Sequence, residues 1–246
     1  MDTSYWTALN PNIERIETRK IMHGKFVHRL AVRAIGCSIL RYQQDVDNAV
    51  IFRNENCKNY NWGGSWRRKP VSSDDVTLLK MIKQQLDYEE STVRLKDHED
   101  FKIRIEEPDV QFYATNIQTL KAIADSLRYK DNSHFVSVMT PANQDHENIL
   151  LEGYTLRKTK INWLYRVIFR DGKYSLETKG QIKSYLNNLG SQIKVPKNLM
   201  EQLSKGTWIW GGYIYTNDKS LATMLSLIDG RLISKIEEFK VVPECE

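Results

Sequence analysis

The chain has 246 residues, 41% of them hydrophobic, and its 36 lysines and arginines against 31 acids give a net charge of +5. That is apolar material for one large or two small globular domains, and too mild a positive charge to name a polyanionic partner by itself. Three cysteines, Cys37, Cys57 and Cys245, without CxxC spacing argue against a disulfide framework and a structural zinc site, and no window approaches the ~20 apolar residues of a membrane span. The N-terminal residues lack the apolar core of a signal peptide, so the expected location is the cytoplasm or another reducing intracellular compartment, with no membrane partner.

In chain order, residues 1–24 read as an N-terminal arm that packs on the body or stays loose. Residues 26–32 alternate apolar side chains at period two and predict a strand. A helix at 74–86 follows a Ser/Asp cap, and strands at 102–105 and 110–114 flank the turn Glu106-Glu107-Pro108-Asp109. Asn116 caps a helix around 120–127, and 135–139 closes the unit. Residues 141–160, polar and containing PANQDHEN, read as a linker. Beyond it, 163–169, 178–189, 193–195, 208–215, 217–228 and 233–242 repeat the order strand, helix, strand, strand, helix, strand.

Three segments recur in the same order in the two halves. KFVHRLAVRA matches NWLYRVIFRD at an offset of 137, and FYATNIQTLKAIADSL matches YIYTNDKSLATMLSLI at 101. Leu79, Ile82 and Leu86 match Ile182, Tyr185 and Leu189 at 103. The expected fold is α+β, with two divergent tandem ferredoxin-like (split βαβ) units: 25–140, with a long insertion at about 36–70, and 161–246. The insertion carries KNYNWGGSWRRK (58–69), which sets Tyr60, Trp62 and Trp66 around two glycines and ends in Arg67, Arg68 and Lys69. Long insertions in surface connections often carry function.

Charge is unevenly spread. Nine acids and four bases between 87 and 109 leave the rest of the chain at +10, so a nucleic acid strand should lie away from that acidic belt. Period two puts Arg29 and Arg33 on one side of the first strand, opposite Phe26, His28, Leu30 and Val32. In the same way Arg166 and Arg170 lie opposite Trp163, Tyr165, Val167 and Phe169. In TWIWGGYIYT, Tyr213 and Tyr215 share one side and Trp208 and Trp210 the other, and a bulge at Gly211-Gly212 decides which pair is exposed.

Arginines and exposed rings on an open four-stranded sheet resemble the architecture of the RRM class of RNA binders, although the RNP1 consensus is absent. The predicted function is therefore non-catalytic binding of nucleic acid, with a single strand of RNA or DNA favoured. Arg29, Arg33, Arg166 and Arg170 would meet phosphates, Arg67, Arg68 and Lys69 would act as a clamp, and Trp62, Trp66, Tyr213 and Tyr215 would stack on bases. The first alternative is an assembly or scaffolding protein whose exposed rings meet a protein partner or a second copy. The second is a metal-independent endoribonuclease, because the size and paired units are similar to those of CRISPR RNA-processing endonucleases; their glycine-rich loop has no counterpart in GRLISKIEEFKVVPECE.

No catalytic residue, metal ligand or cofactor is assigned. Asp97-His98-Glu99 and Asp145-His146-Glu147 read as solvated loop charges, because adjacent side chains diverge. His28 falls on the predicted core face. Phosphate-loop, dinucleotide, GxSxG and HExxH patterns are all missing.

Overall fold

A computed structural model of the chain describes residues 3–41, 45–56, 69–94, 101–158, 162–205 and 208–242. The chain divides into two units, Met1–Glu147 and Asn148–Glu246. Its architecture is mixed α+β: two five-stranded mixed sheets and, among the described residues, eight helices, with no closed barrel.

The first unit runs α1 (Thr3–Leu9), β1 (Glu14–Glu17), β2 (His28–Arg33), α2 (Val46–Asn56), α3 (Ser73–Arg94), β3 (Phe101–Glu106), β4 (Asp109–Ala114), α4 (Ile117–Ser126) and β5 (Phe135–Thr140). Helix α5 (Gln144–Leu151) carries the boundary. The sheet order is β1-β5-β2-β4-β3, with β1 parallel to β5 and the other pairs antiparallel.

Alternation works as the sequence implies. Leu30 and Val32 of β2 and Val110 and Phe112 of β4 turn into the core with Leu79, Ile82, Leu120 and Ile123 of the helices. Each such side chain contributes roughly 1.5–3 kcal/mol by leaving water. The helix starts have local causes. Ser72 and Asp75 cap α3 reciprocally, Asp75 N donating to Ser72 Oγ at 3.1 Å and Ser72 N to Asp75 Oδ2 at 3.2 Å. Gln118 N donates to the Asn116 side chain at 2.7 Å to open α4.

The second unit runs β6 (Thr155–Arg157), β7 (Tyr165–Phe169), β8 (Gly172–Lys173), α6 (Leu176–Leu189), β9 (Ile193–Lys194), α7 (Lys197–Ser204), β10 (Trp208–Ile209), β11 (Tyr213–Thr216), α8 (Ser220–Ile228) and β12 (Ile233–Val241). Its five-stranded sheet is ordered β6-β12-β7-β11-β9, and β8 and β10 form a separate antiparallel ribbon. Val167, Phe169, Ile214, Ile182 and Leu225 share the core.

Several sequence expectations change. Of the two alternatives for the arm, packing is the one seen, since Trp6, Leu9 and Ile13 are core residues of the first unit. The stretch read as a linker contains α5 and β6. The single strand expected at 208–215 is two: Gly211 takes a left-handed φ of +57°, and a Cβ on Gly212 would lie 2.9 Å from Ile209 Cγ2 and 3.0 Å from Leu199 Cδ1. Only glycine tolerates both demands, so the chain breaks there and changes partners. No helix among the described residues is long and apolar enough to cross a membrane.

Candidate functional site

On the second unit's sheet, the face away from the core collects the polar and aromatic side chains. Val167, Phe169 and Ile214 are buried inward, which turns Arg166 and Ile168 of β7 and Tyr213 and Tyr215 of β11 to the other side. Cross-strand register sets Tyr215 opposite Arg166 and Tyr213 opposite Ile168. It also sets Lys194 beside Tyr215, and Glu237 and Lys235 beside Arg166 and Ile168. The two tyrosine rings meet edge to face, with centroids 5.3 Å apart at 75°. The Arg166 guanidinium lies 5.5 Å from the Tyr213 ring centre, and that of Arg157 lies 4.6 Å from Phe239.

Among the described residues the face therefore sets Arg157, Arg166, Lys194 and Lys235 against the carboxylate of Glu237. Arg166 is not free: its Nε donates to Glu237 Oε2 at 2.9 Å and its Nη2 bonds the same oxygen. Glu237 is only 4% exposed, and Lys235 Nζ stands 3.6 Å from its other oxygen. Arg170 is exposed just past the end of β7.

The corresponding arginines of the first unit have different surroundings. Arg29 pairs across strands with Tyr113, and Arg33 with Asp109. Tyr113 is buried, with the His23 ring edge-on at 4.6 Å and Phe26 at 6.3 Å, so a turn of the chain's own residues covers it. Burial, and then the charge of Glu106, push the Tyr113 hydroxyl pKa up. Arg29 is half-buried, and its Nε has no hydrogen-bond partner. Arg33 is exposed and bonds Asp109 at 3.1 Å.

The other aromatic pair was left open by sequence and is the more exposed. Trp208 and Trp210 are 48% and 57% exposed, stacked with centroids 5.1 Å apart at 9°. Their backbone is held firmly. The Gln202 side chain accepts from Trp210 N at 3.0 Å and donates to Trp210 O at 3.1 Å, and Gly211 N donates to Asp171 at 2.6 Å. Buried Ile209 between the two rings is the sequence signal: its inward turn forces both neighbours out.

Of the proposed clamp, Lys69 is exposed, whereas Trp62, Trp66, Arg67 and Arg68, with Tyr60, lie outside the described residues. The helix that leads towards them, α2, is anchored by a buried ion pair, Arg53 Nη2 to Glu107 Oε1 at 2.7 Å.

Asp145-His146-Glu147 is corrected from loop to the first turn of α5. His146 is buried 3.4 Å from Glu17, and Glu147 reaches His28 Nε2 at 3.4 Å. Asp97-His98-Glu99 lies outside the described residues. Burial pushes the pKa of His28 down against the opposing pull of Glu147. Among the described residues no group of three or more His, Cys, Asp or Glu side chains is placed to hold a metal ion. Compared with known proteins, the chain matches no family model and no curated sequence, so no relative lends it a function.

Proposed function

We propose that the protein binds single-stranded nucleic acid, without catalysis, on the outward sheet face of the second unit. The observation that carries this is the side-by-side pair Tyr213 and Tyr215, turned away from the core and bordered by Arg157, Arg166, Lys194 and Lys235. Rings stack on bases of any sequence while cations neutralise phosphates, and each stacked base contributes ~1–3 kcal/mol. Arg170 extends the cationic border, and Arg67, Arg68 and Lys69, with Trp62 and Trp66, form a second contact from the insertion. Arg29 and Arg33 belong to the first unit's share of the surface.

The reading of the fold that goes with this is two divergent ferredoxin-like units. It is supported by the correspondence of the antiparallel orders β5-β2-β4-β3 and β12-β7-β11-β9, each with one parallel strand added at the same edge. A reducing intracellular compartment suits the buried free thiol of Cys37, whose pKa is pushed up to about 12 by burial first and then by Glu107 and Asp109.

The test is the salt dependence of binding to a labelled oligonucleotide. Affinity should fall as a power of salt concentration, and Tyr213→Ala with Tyr215→Ala should weaken binding without changing that slope. Arg67→Ala, Arg68→Ala and Lys69→Ala together should flatten it. Binding that ignores salt, or that survives loss of both tyrosines, refutes the reading.

A second reading, docking of a protein partner, is favoured by the exposed, rigidly held Trp208 and Trp210. Such a contact would survive high salt and be lost in Trp208→Ala and Trp210→Ala.

A further inference from the structure

The first unit holds a cleft of about 270 Å³ where the starts of α4 and α5 meet β2 and β5, lined by Trp6, His28, Gln118, Thr140, Gln144 and Glu147. Trp6, His28 and Thr140 are each at most 2% exposed. Each carries a polar atom with no hydrogen-bond partner: the indole Nε1, the imidazole Nδ1 and the hydroxyl Oγ1. Buried polar atoms left unpaired weaken a fold unless something else supplies the bond, and three around one cleft call for a common occupant.

The three atoms specify what that occupant must offer. Trp6 Nε1 can only donate. His28 is held neutral by burial, and the Glu147 carboxylate beside Nε2 keeps the ring proton there, so Nδ1 can only accept. The Thr140 hydroxyl does both. An anion would suit the indole but face the Glu147 carboxylate and a lone pair on Nδ1; a cation would leave the indole unpaired. A neutral group with a donor and an acceptor side by side satisfies all three.

The rest of the wall is mixed: Lys121 also lines it, so with Glu147 the cleft carries one charge of each sign. Gln118 and Gln144 carry carboxamides, each with its own donor and acceptor, while Ile117 and Pro141 add apolar surface. The volume is at the small end for ligand clefts, which suits one ring system rather than an oligomer. The three unpaired atoms lie below the cleft surface, so lining side chains rotate as the ligand enters.

The geometry points to a binding site in the first unit for a small neutral ligand with an amide-type edge, a nucleobase, presented either as a free nucleoside or as one nucleotide of a strand. This site is separate from the tyrosine face of the second unit and does not depend on it.

The experiment titrates the full chain with adenosine, guanosine, cytidine and uridine, with a short oligonucleotide, and with inorganic phosphate and acetate as anion probes. At least one nucleobase probe should bind at about 1 mM or below, and the two anions should not. Thr140→Val removes one unpaired atom at nearly constant shape, Trp6→Phe removes another but also leaves part of a buried ring's space empty, and Gln118→Ala and Gln144→Ala alter the rim without touching the core. Each should weaken binding by about 5-fold or more, and Thr140→Val should leave the thermal midpoint of the free protein unchanged or higher. A loss seen with free nucleosides identifies a free ligand, and a loss seen with the oligonucleotide alone identifies a strand. Equal binding of phosphate or acetate, affinities unchanged in all four variants, or no binding at about 1 mM probe, which leaves the cleft to water, overturns the site. So does nucleoside binding that disappears in Tyr213→Ala and Tyr215→Ala, because it moves the ligand to the other unit.

Discussion

Glu237→Gln tests whether the cationic face is restrained by its own carboxylate. Glu237 is 4% exposed, accepts from Arg166 Nε at 2.9 Å and from Nη2, and has Lys235 Nζ 3.6 Å away. Replacing the carboxylate by a carboxamide keeps one acceptor for Arg166 and removes the negative charge that Glu237 sets among the face's cations. Because an acceptor remains, the stability cost should be about 1–3 kcal/mol, below the 3–5 kcal/mol of deleting a buried ionic partner outright. For binding, each further phosphate neutralised on a single strand steepens log K against log salt by about 0.7, so release of Arg166 alone or with Lys235 predicts about 0.7 to 1.4. Fluorescence anisotropy of a labelled oligonucleotide over a salt series measures the slope, and urea denaturation checks that the variant is folded. A folded Glu237→Gln protein with an unchanged or shallower slope would show that Arg166 and Lys235 do not meet phosphates.

Three further outcomes follow from packing and protonation. Arg53→Ala strands Glu107, which is 7% exposed and 2.7 Å from the guanidinium, and should cost about 3–5 kcal/mol in urea denaturation; a loss under about 1 kcal/mol would mean that water replaces the pair. Gly212→Ala places a methyl 2.9 Å from Ile209 Cγ2 and 3.0 Å from Leu199 Cδ1, so it should cost about 1–3 kcal/mol and alter the near-ultraviolet dichroism of the Trp208–Trp210 stack. A native signal and midpoint would contradict that packing. Burial pushes His28 and His134 below their ordinary 6.5, so the unfolded chain takes up protons that the native state refuses. The stability of the neutral rings is complete above pH 6.5 and is lost on acidification below it, at up to about 1.4 kcal/mol per pH unit for each ring. His28→Gln should make that slope shallower, and a flat profile between pH 7 and 5 would refute the burial argument.

What could be read in advance was what the backbone states locally. Alternation in HRLAVR and YRVIF assigned Leu30, Val32, Val167 and Phe169 to the core, and the Asn116 cap marked the start of α4. What could not be read depends on partners distant in the chain. Helix α2 exposes Ile51 and Phe52 and buries Arg53, the reverse of an amphipathic pattern, because Glu107 supplies the charge that lets Arg53 go inside. Strands β1 and β6, four and three residues long, are too short to show a period and exist by pairing in parallel with β5 and β12. PANQDHEN read as polar because its one strong local signal, Asn143 Oδ1 accepting from His146 N at 2.8 Å, is also what a turn offers. The repeat alignment slipped for a related reason. Matching Thr115-Asn116 to Thr216-Asn217 equates Phe112 with Tyr213, yet Phe112 faces Leu30 and Ile214 faces Val167. The strands therefore correspond at an offset of 102, not 101.

That corrected register makes Arg29–Tyr113 and Arg166–Tyr215 the same cross-strand pair at the centre of two sheets. They differ in what lies over them. In the first unit Phe26 and His23 close over Tyr113, and three of that unit's unpaired buried polar atoms, on Trp6, His28 and Thr140, lie around a cleft on the helix side. In the second, the tyrosine next along β11 on the same face, Tyr213, adds a ring under the guanidinium, and Glu237 holds the arginine in place. A strand needs rings in a row on an accessible surface, whereas a single small ligand needs enclosure. The chemistry that fits the first unit is therefore set less by the arginine–tyrosine pair than by Phe26 and His23, which close over its ring.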